Sequence, residues 1–355
     1  MTFAVAAAGT GGHVYPGLAV GEALVADGVE RTEVLYVGGD RIEKEVFREH
    51  GFPFLSVPLR GLHRGLRLSN LSLPAVVWRA ARRIEEEMRE FGVRVFLGMG
   101  NYVTVPAGWA ARRCGAAVMV AEQNAEAGLA NRLIGRRAER CFGSFPTTAG
   151  LPRAEWTGNP IRASLANFDR LALRGPALAR YGLDGNRVVV GVFGGSLGAG
   201  ALNRAVKEML VGWAGPPAWF LHLAGRSVGE APPTAGEGHV VVDYEEHMEF
   251  FFAASDLVVA RAGGSVAELT ATRTPAVLVP GSFGSGRHQQ ANASVLEAAG
   301  AAVVVKEAEL DRLRTVVEAM AADSARRTTM AEAAGALARP QAAVDIAKAL
   351  VAAHG

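Results

Sequence analysis

Three glycine-rich stretches each follow an apolar run: Gly9-Thr10-Gly11-Gly12-His13 after Phe3–Ala8, Gly98-Met99-Gly100-Asn101 within Val93–Gly100 and beyond, and Gly194-Gly195-Ser196-Leu197-Gly198-Ala199 after the strand-like part of Arg187–Val206. Glycines between a strand end and a helix start let backbone N–H groups approach a phosphate, and the helix dipole adds attraction. His13 is the one group of the first loop that titrates near neutrality. It can take a proton from an attacking hydroxyl or contact a phosphate directly. Neither the first nor the last loop fits a dinucleotide fingerprint. Val14 stands where the third glycine of GxGxxG belongs, and the Gly194 loop also lacks the lysine of a nucleoside-triphosphate loop. A nicotinamide-dependent oxidoreductase, with Asp40 on the ribose, is therefore the more distant alternative.

The elements that must position these loops read as alternating strands and helices. After the first loop, Pro16 suits a first helical turn and Gly28 a C-terminal stop. Val34–Val37 reads as a second strand, Val93–Gly100 and Ala116–Asn124 as further strands, and Leu129–Arg140 as a helix. The pattern pauses at Thr157–Arg162 and then restarts with the Gly194 loop, as though the opening of the chain were replayed. Asp256–Leu269 and Pro275–Ala299 repeat the strand–loop–helix unit, and Ala342–Ala353 is a final apolar-periodic helix. Continuously apolar strands indicate parallel sheets covered on both faces. The expected class is α/β: two doubly wound Rossmann-like domains facing a central cleft. Residues 1–160 form the first and 161–339 the second, with a C-terminal helix at about 340–355 packing back on the first.

Composition narrows the classes. The chain has 355 residues, half of them hydrophobic, 20% charged, and a formal net charge of +2. That is an ordinary globular balance and speaks against a general nucleic-acid binder. Two cysteines, Cys114 and Cys141, without a CxxC suit free thiols rather than a disulfide scaffold. Met1–Gly21 is uncharged, but its glycines and Pro16 break it as a spanning helix.

The stretches GTGGHVYPGLAVGEAL, GMGNYVTVPAG, AEQNAEAGLANRL, TGNPIR, GGSLGAGALN and HQQANA occur in an order that resembles the MurG family of peptidoglycan N-acetylglucosaminyltransferases, which have the GT-B fold. The resemblance runs from residue 3 to about 350. It implies a metal-independent, inverting hexosyltransferase without a cofactor. The reaction implied is transfer of GlcNAc from UDP-GlcNAc to the muramyl 4-hydroxyl of an undecaprenyl-pyrophosphoryl-MurNAc-pentapeptide, lipid I, giving lipid II. A UDP-sugar epimerase of the same fold is the nearer alternative.

Site roles follow from the resemblance, position by position. It gives Ser196 and Arg162 to the donor diphosphate, and both are good phosphate partners. Glu268 takes the ribose diol, with Gly264 and Ser265 beside it, although Ser265-Val-Ala-Glu268 also reads as a helix capping box. Gln289 and Gln290 read the sugar hydroxyls. Asn124 contacts the donor sugar, with Glu122 either a second acid or a buried structural one. The uracil is read by backbone near Tyr244-Glu245. On the acceptor side, Thr10, Gly11 and Gly12 hold the pyrophosphate and His13 is the catalytic candidate. The Gly98–Gly108 loop assists them, with Asn101 standing where a further glycine is expected. No residue pattern suggests a metal site.

Leu59–Arg83 holds six arginines, no acids, interleaved leucines and Trp78. Val77, Ala81, Ile84, Met88 and Phe91 form a core stripe at helical spacing, which leaves Trp78 off it. An apolar patch ringed by arginines, Leu59–Trp78, suits an anionic inner-leaflet surface. With the lipid-linked acceptor that the resemblance implies, the expected location is peripheral, on the cytoplasmic face of the cell membrane.

Overall fold

The computed structural model describes residues 1–57, 73–195, 199–225, 236–282 and 286–354. The chain divides into two compact units, 1–162 with 340–355, and 163–339. In chain order the first unit contains β1 (Phe3–Ala6), α1 (Gly11–Ala26), β2 (Val34–Gly38), α2 (Ile42–Glu49), β3 (Phe54–Ser56), α3 (Leu73–Phe91), β4 (Val95–Gly98), α4 (Thr104–Arg113), β5 (Ala117–Glu122), α5 (Leu129–Gly135), β6 (Arg140–Gly143) and β7 (Ala154–Trp156). The second holds α6 (Ala163–Ala166), α7 (Arg170–Tyr181), β8 (Val188–Phe193), α8 (Gly200–Val211), β9 (Ala218–Leu223), β10 (His239–Val242), α9 (Met248–Ala254), β11 (Leu257–Ala260), α10 (Ser265–Ala271), β12 (Ala276–Leu278), α11 (Gly286–Ala298), β13 (Ala302–Val304), α12 (Leu313–Ala322) and α13 (Ser324–Leu337). The last helix, α14 (Ala342–Ala352), belongs to the first unit and buries Ile346, Ala347 and Leu350 in the same core as Phe3, Val20 and Leu24.

Each unit is built on one parallel sheet. The first has strand order β3-β2-β1-β4-β5-β6-β7 and the second β10-β9-β8-β11-β12-β13. Strands β1, β2, β4, β11 and β12 are buried along their whole length, as parallel strands covered by helices on both faces must be. The strand order reverses between β1 and β4 and again between β8 and β11. A doubly wound sheet opens a crevice at such a reversal, beyond the carboxyl ends of the strands.

Two glycines of the first motif serve packing. A Cβ at Gly17 would lie 2.9 Å from the Ala7 side chain, and one at Gly21 would overlap the Tyr36 hydroxyl. That hydroxyl, fully buried, donates to the Gly17 carbonyl at 2.9 Å. Close approach of α1 to the sheet therefore excludes side chains here.

Two local expectations change and one holds. Helix α1 begins at Gly11 rather than near Pro16, with Thr10 as its extended N-cap residue (φ −126°, ψ 160°). Pro16 lies inside the helix, where it has no N–H to offer the Gly12 carbonyl. Leu129–Arg140 is split: α5 stops at Gly135 and Arg140 opens β6, leaving four residues for the turn. The core stripe of α3 holds, with Ala81, Ile84 and Met88 buried and Trp78 60% exposed.

Candidate functional site

The two strand-order reversals carry the candidate residues. In the first unit, β1 runs out through Ala7 and Ala8 to Gly9, whose φ of 97° only glycine adopts readily. Gly11 and Gly12 are the first two residues of α1, so their amides have no carbonyl within the helix. A Cβ at Gly12 would meet nothing closer than the Thr10 hydroxyl at 3.7 Å, so that glycine is not demanded by packing. His13 sits in the same turn, half-buried, with Nδ1 a long 3.4 Å from the Thr10 hydroxyl.

Across the reversal, the loop after β4 is ordered by Asn101. Its buried side chain donates to the Ala6 carbonyl at 3.1 Å and accepts from the Val103 amide at 2.9 Å. The asparagine in place of a glycine thus ties the ends of β1 and β4 together. Tyr102, next to it, brings its ring within 3.8 Å of a Cβ built on Gly9. Burial first, and then the charge of Glu43, lift its phenol above the usual range. A single aromatic after a glycine loop carries no periodic signal, so nothing in the sequence marks Tyr102.

Glu122, at the end of β5, is a buried organising acid. Only 3% exposed, it accepts at Oε1 from the Asn124 backbone at 3.1 Å and side chain at 2.8 Å. At Oε2 it accepts from the Gly128 amide at 3.0 Å and the Asn131 side chain at 3.0 Å. Four donors compensate its burial, which answers the question left open by its sequence position. Asn124 is held by it. Arg162 ends the first unit with its guanidinium 4.9 Å from the centre of the Tyr15 ring, a cation–π contact to α1.

In the second unit the loop after β8 starts with Gly194, where a Cβ would stand 2.8 Å from the Ala199 amide nitrogen. That close approach sets Ala199, the residue before α8, against the end of β8. Ser196 lies outside the described residues. After β11, Gly264 already has helical angles (φ −60°, ψ −22°) and Ser265 is the first residue of α10. Its hydroxyl turns back to the Arg261 carbonyl at 3.3 Å, and no side chain caps the helix. The capping box therefore does not form: its N-cap residue must be extended, and Glu268 falls one position too deep. Glu268 is half-buried on α10.

Helix α11 is pinned to both neighbouring loops. Gln289 Oε1 accepts from the Gly281 amide at 2.8 Å, and the buried Asn292 side chain donates to the Ala262 carbonyl at 3.0 Å. Gln290 follows, half-buried. Arg261 braces the same region, donating to the Val279 carbonyl at 3.0 Å and pairing with Glu307, which also accepts from the Ser282 amide at 2.9 Å. Burial pushes the Glu307 carboxyl up, but the Ser282 and Arg261 bonds outweigh it and leave it below its ordinary range.

Glu245, beyond β10, is gripped by Arg180 through two bonds of 3.0 Å, by the Tyr181 hydroxyl at 2.7 Å and by the His247 amide at 2.8 Å. The backbone at Tyr244–Glu245 is fixed accordingly. Among the described residues, no three His, Cys, Asp or Glu side chains gather as a metal-ligand set. The first unit thus brings Thr10, Gly11, Gly12 and His13 into one helix turn. The second carries Gly264, Ser265, Glu268, Gln289 and Gln290 on the loops and helices after β11 and β12.

Residues 3–142 match the glycosyltransferase family 28 N-terminal domain, and residues 189–349 the glycosyltransferase family 28 C-terminal domain. A relative from Burkholderia orbicola (strain MC0-3) is 37% identical over 366 residues, covering 100% of this chain and 96% of the relative. It is described as UDP-N-acetylglucosamine--N-acetylmuramyl-(pentapeptide) pyrophosphoryl-undecaprenol N-acetylglucosamine transferase. Among solved structures, Acinetobacter baumannii MurG superposes with a TM-score of 0.77 at 25% identity over 99% of each chain. The UDP-GlcNAc 2-epimerase from Neisseria meningitidis gives 0.65 at 12% identity, over 99% of this chain and 100% of its own, a likeness of fold alone.

Proposed function

The chain belongs to glycosyltransferase family 28, and from that membership we propose that it is an N-acetylglucosaminyltransferase that moves GlcNAc from UDP-GlcNAc to the muramyl 4-hydroxyl of undecaprenyl-pyrophosphoryl-MurNAc-pentapeptide. The full-length identity of 37% to a transferase so described carries this reading. It also turns the choice away from the epimerase, whose likeness is confined to the fold. The two-domain architecture is that of the GT-B transferases.

On this reading the acceptor hydroxyl attacks the anomeric carbon in line, and UDP leaves with inversion. In the second unit the donor diphosphate is assigned to Ser196 and the start of α8, the ribose to Glu268 beside Gly264 and Ser265, and the sugar to Gln289 and Gln290. Of the first unit's residues, the family resemblance assigns Arg162 to the diphosphate and Asn124 to the sugar. The acceptor pyrophosphate meets the amides of Gly11 and Gly12 beside Thr10, where unpaired N–H groups and the helix dipole favour an anion. His13, in the same turn, receives or steers the 4-hydroxyl proton. Fixed donors aimed at the departing diphosphate, and the holding of two substrates in register, supply most of the rate.

A lipid-linked acceptor calls for a membrane-facing surface. No helix among the described residues is long and apolar enough to cross a membrane. Successive helices of the first unit do expose large apolar side chains: Trp78 on α3, Trp109 on α4, and Leu129 and Leu133 on α5. Most of Leu59–Trp78 lies outside the described residues, and Trp78 is its exposed end. Peripheral docking on the cytoplasmic face of an anionic membrane accounts for this surface.

The test is UDP release. It should require both UDP-GlcNAc and the lipid acceptor, and yield a disaccharide-linked lipid. Consumption of UDP-GlcNAc without acceptor, giving its 2-epimer, would overturn the assignment.

A further inference from the structure

Asn203 in α8, His222 on β9 and His239 at the start of β10 form a hydrogen-bonded chain inside the second unit. Asn203 Nδ2 donates to the Ala224 carbonyl at 3.2 Å. An amide oxygen could not face that carbonyl, so this bond decides which way the carboxamide points and leaves Oδ1 toward His222 Nε2, at 3.0 Å. His222 must then carry its proton on Nε2. Its Nδ1 is left as an acceptor, facing His239 Nε2 at 3.4 Å. The two rings stack with centroids 5.6 Å apart.

Both imidazoles are buried. Burial first, and then the neighbouring His239, bring the His222 ring down to about 4, so it is neutral at neutral pH and the direction of the chain is kept. The flanking strand β8 carries no charged residue, and the charged residues Arg204, Lys207 and Glu208 of α8 are exposed.

The two ends of this chain lead to different parts of the proposed donor site. Asn203 stands in the opening turns of α8, the helix assigned to the diphosphate. The Ala224 amide donates to the Val242 carbonyl at 2.9 Å and the Gly225 amide to the Asp243 carbonyl at 3.0 Å, and the strand then enters Tyr244–Glu245, assigned to the base. We propose that Asn203, His222 and His239 are positioning residues that hold the diphosphate and base subsites of a uridine diphosphate at their working separation. The proposal rests on the donor reading above. A bidentate ligand gains from two subsites together only while their spacing matches its own.

The experiment is calorimetric titration of the full chain with UDP and, separately, with uridine. Asn203→Asp keeps the acceptor for His222 but turns an oxygen onto the Ala224 carbonyl. His239→Phe keeps the volume but removes the far donor. In both variants UDP affinity should fall about tenfold while uridine affinity changes by less than about twofold. The ratio of the two affinities is the readout that a general loss of folding would not move. Folded variants with an unchanged ratio would overturn the proposal, as would equal losses for both ligands. Absence of UDP binding in the unaltered protein would overturn the donor reading on which it stands.

Discussion

Glu122 Oε1 accepts from Asn124 twice, from its backbone amide at 3.1 Å and its side-chain amide at 2.8 Å. One buried oxygen thus fixes both the path of the chain and the rotamer of the asparagine. The other oxygen, bonded to Gly128 and Asn131, keeps the carboxylate from turning. Glu122→Gln offers one acceptor and one donor to four donors, so a buried N–H must face another N–H. The variant should lose about 1–3 kcal/mol of stability. Its kcat/KM should fall about 10- to 100-fold as Asn124 loses its orientation. Denaturant titration and acceptor-dependent UDP release measure the two effects, and wild-type kinetics would show that Asn124 needs no such anchor.

The glycines of the first motif should separate by experiment. Gly12→Ala introduces a methyl with room around it and raises helix propensity by up to about 1 kcal/mol, so the variant should fold at least as well as the parent. It should nevertheless lose activity, because the methyl stands beside the amides proposed to hold the pyrophosphate. Gly21→Ala drives a methyl into the buried Tyr36 hydroxyl and should cost roughly 1–3 kcal/mol of stability. Melting curves and initial rates on both variants give the comparison. Equal activity in Gly12→Ala would remove that loop from the acceptor site.

Glu268 has no capping box to lose, since Ser265 is already inside the helix. Glu268→Ala should weaken UDP binding by about 1.5–3 kcal/mol, the range for a hydrogen bond to a charged group, with no helix cap lost. A lowered melting temperature with intact UDP affinity would make the residue structural after all.

His13→Ala should lower kcat by about 10²–10⁴ if the imidazole is the base, with UDP affinity retained. A pH–rate profile separates the roles. Loss of the acidic limb in His13→Gln indicates proton transfer, whereas an unaltered limb with raised acceptor KM indicates phosphate contact. Wild-type kcat and acceptor KM would leave His13 a structural residue.

His222 gives stability a pH dependence of known sign. Its folded value, about 4, lies below the ordinary 6.5, so the unfolded chain binds the proton more readily. Its contribution is complete above about 6.5, shrinks as the pH falls, and is lost by about 4, amounting to as much as about 3 kcal/mol. Urea unfolding at pH 7.5, 6 and 5 should show this fall in the parent and a shallower one in His222→Gln. Parallel slopes would exclude His222 as its source.

The sequence by itself determined the periodic and the unbranched features. Continuous apolar runs ending in glycines demanded parallel strands that deliver their loops to one edge. The restart at Arg187 demanded a second sheet. The spacing of Ala81, Ile84 and Met88 left Trp78 outside the core. These are properties of neighbours along the chain, where a period of two or 3.6 residues is enough. Tertiary structure alone decided the rest, because it depends on partners far apart in sequence. Gly17 and Gly21 are packing glycines only because Ala7 and Tyr36 come up beneath α1, whereas a Cβ on Gly12, a few residues away, would meet only the Thr10 hydroxyl at an ordinary contact distance of 3.7 Å. Ser265 and Glu268 had the letters of a capping box, but Gly264 had already turned helical and moved both out of register. Glu122 became an organising acid when Asn131 and Gly128 closed over it. The tautomers of His222 and His239 follow from a carbonyl at Ala224, which no spacing rule connects to Asn203. Hydrogen-bond direction is set by the whole surrounding set of donors and acceptors, and only the folded chain assembles that set.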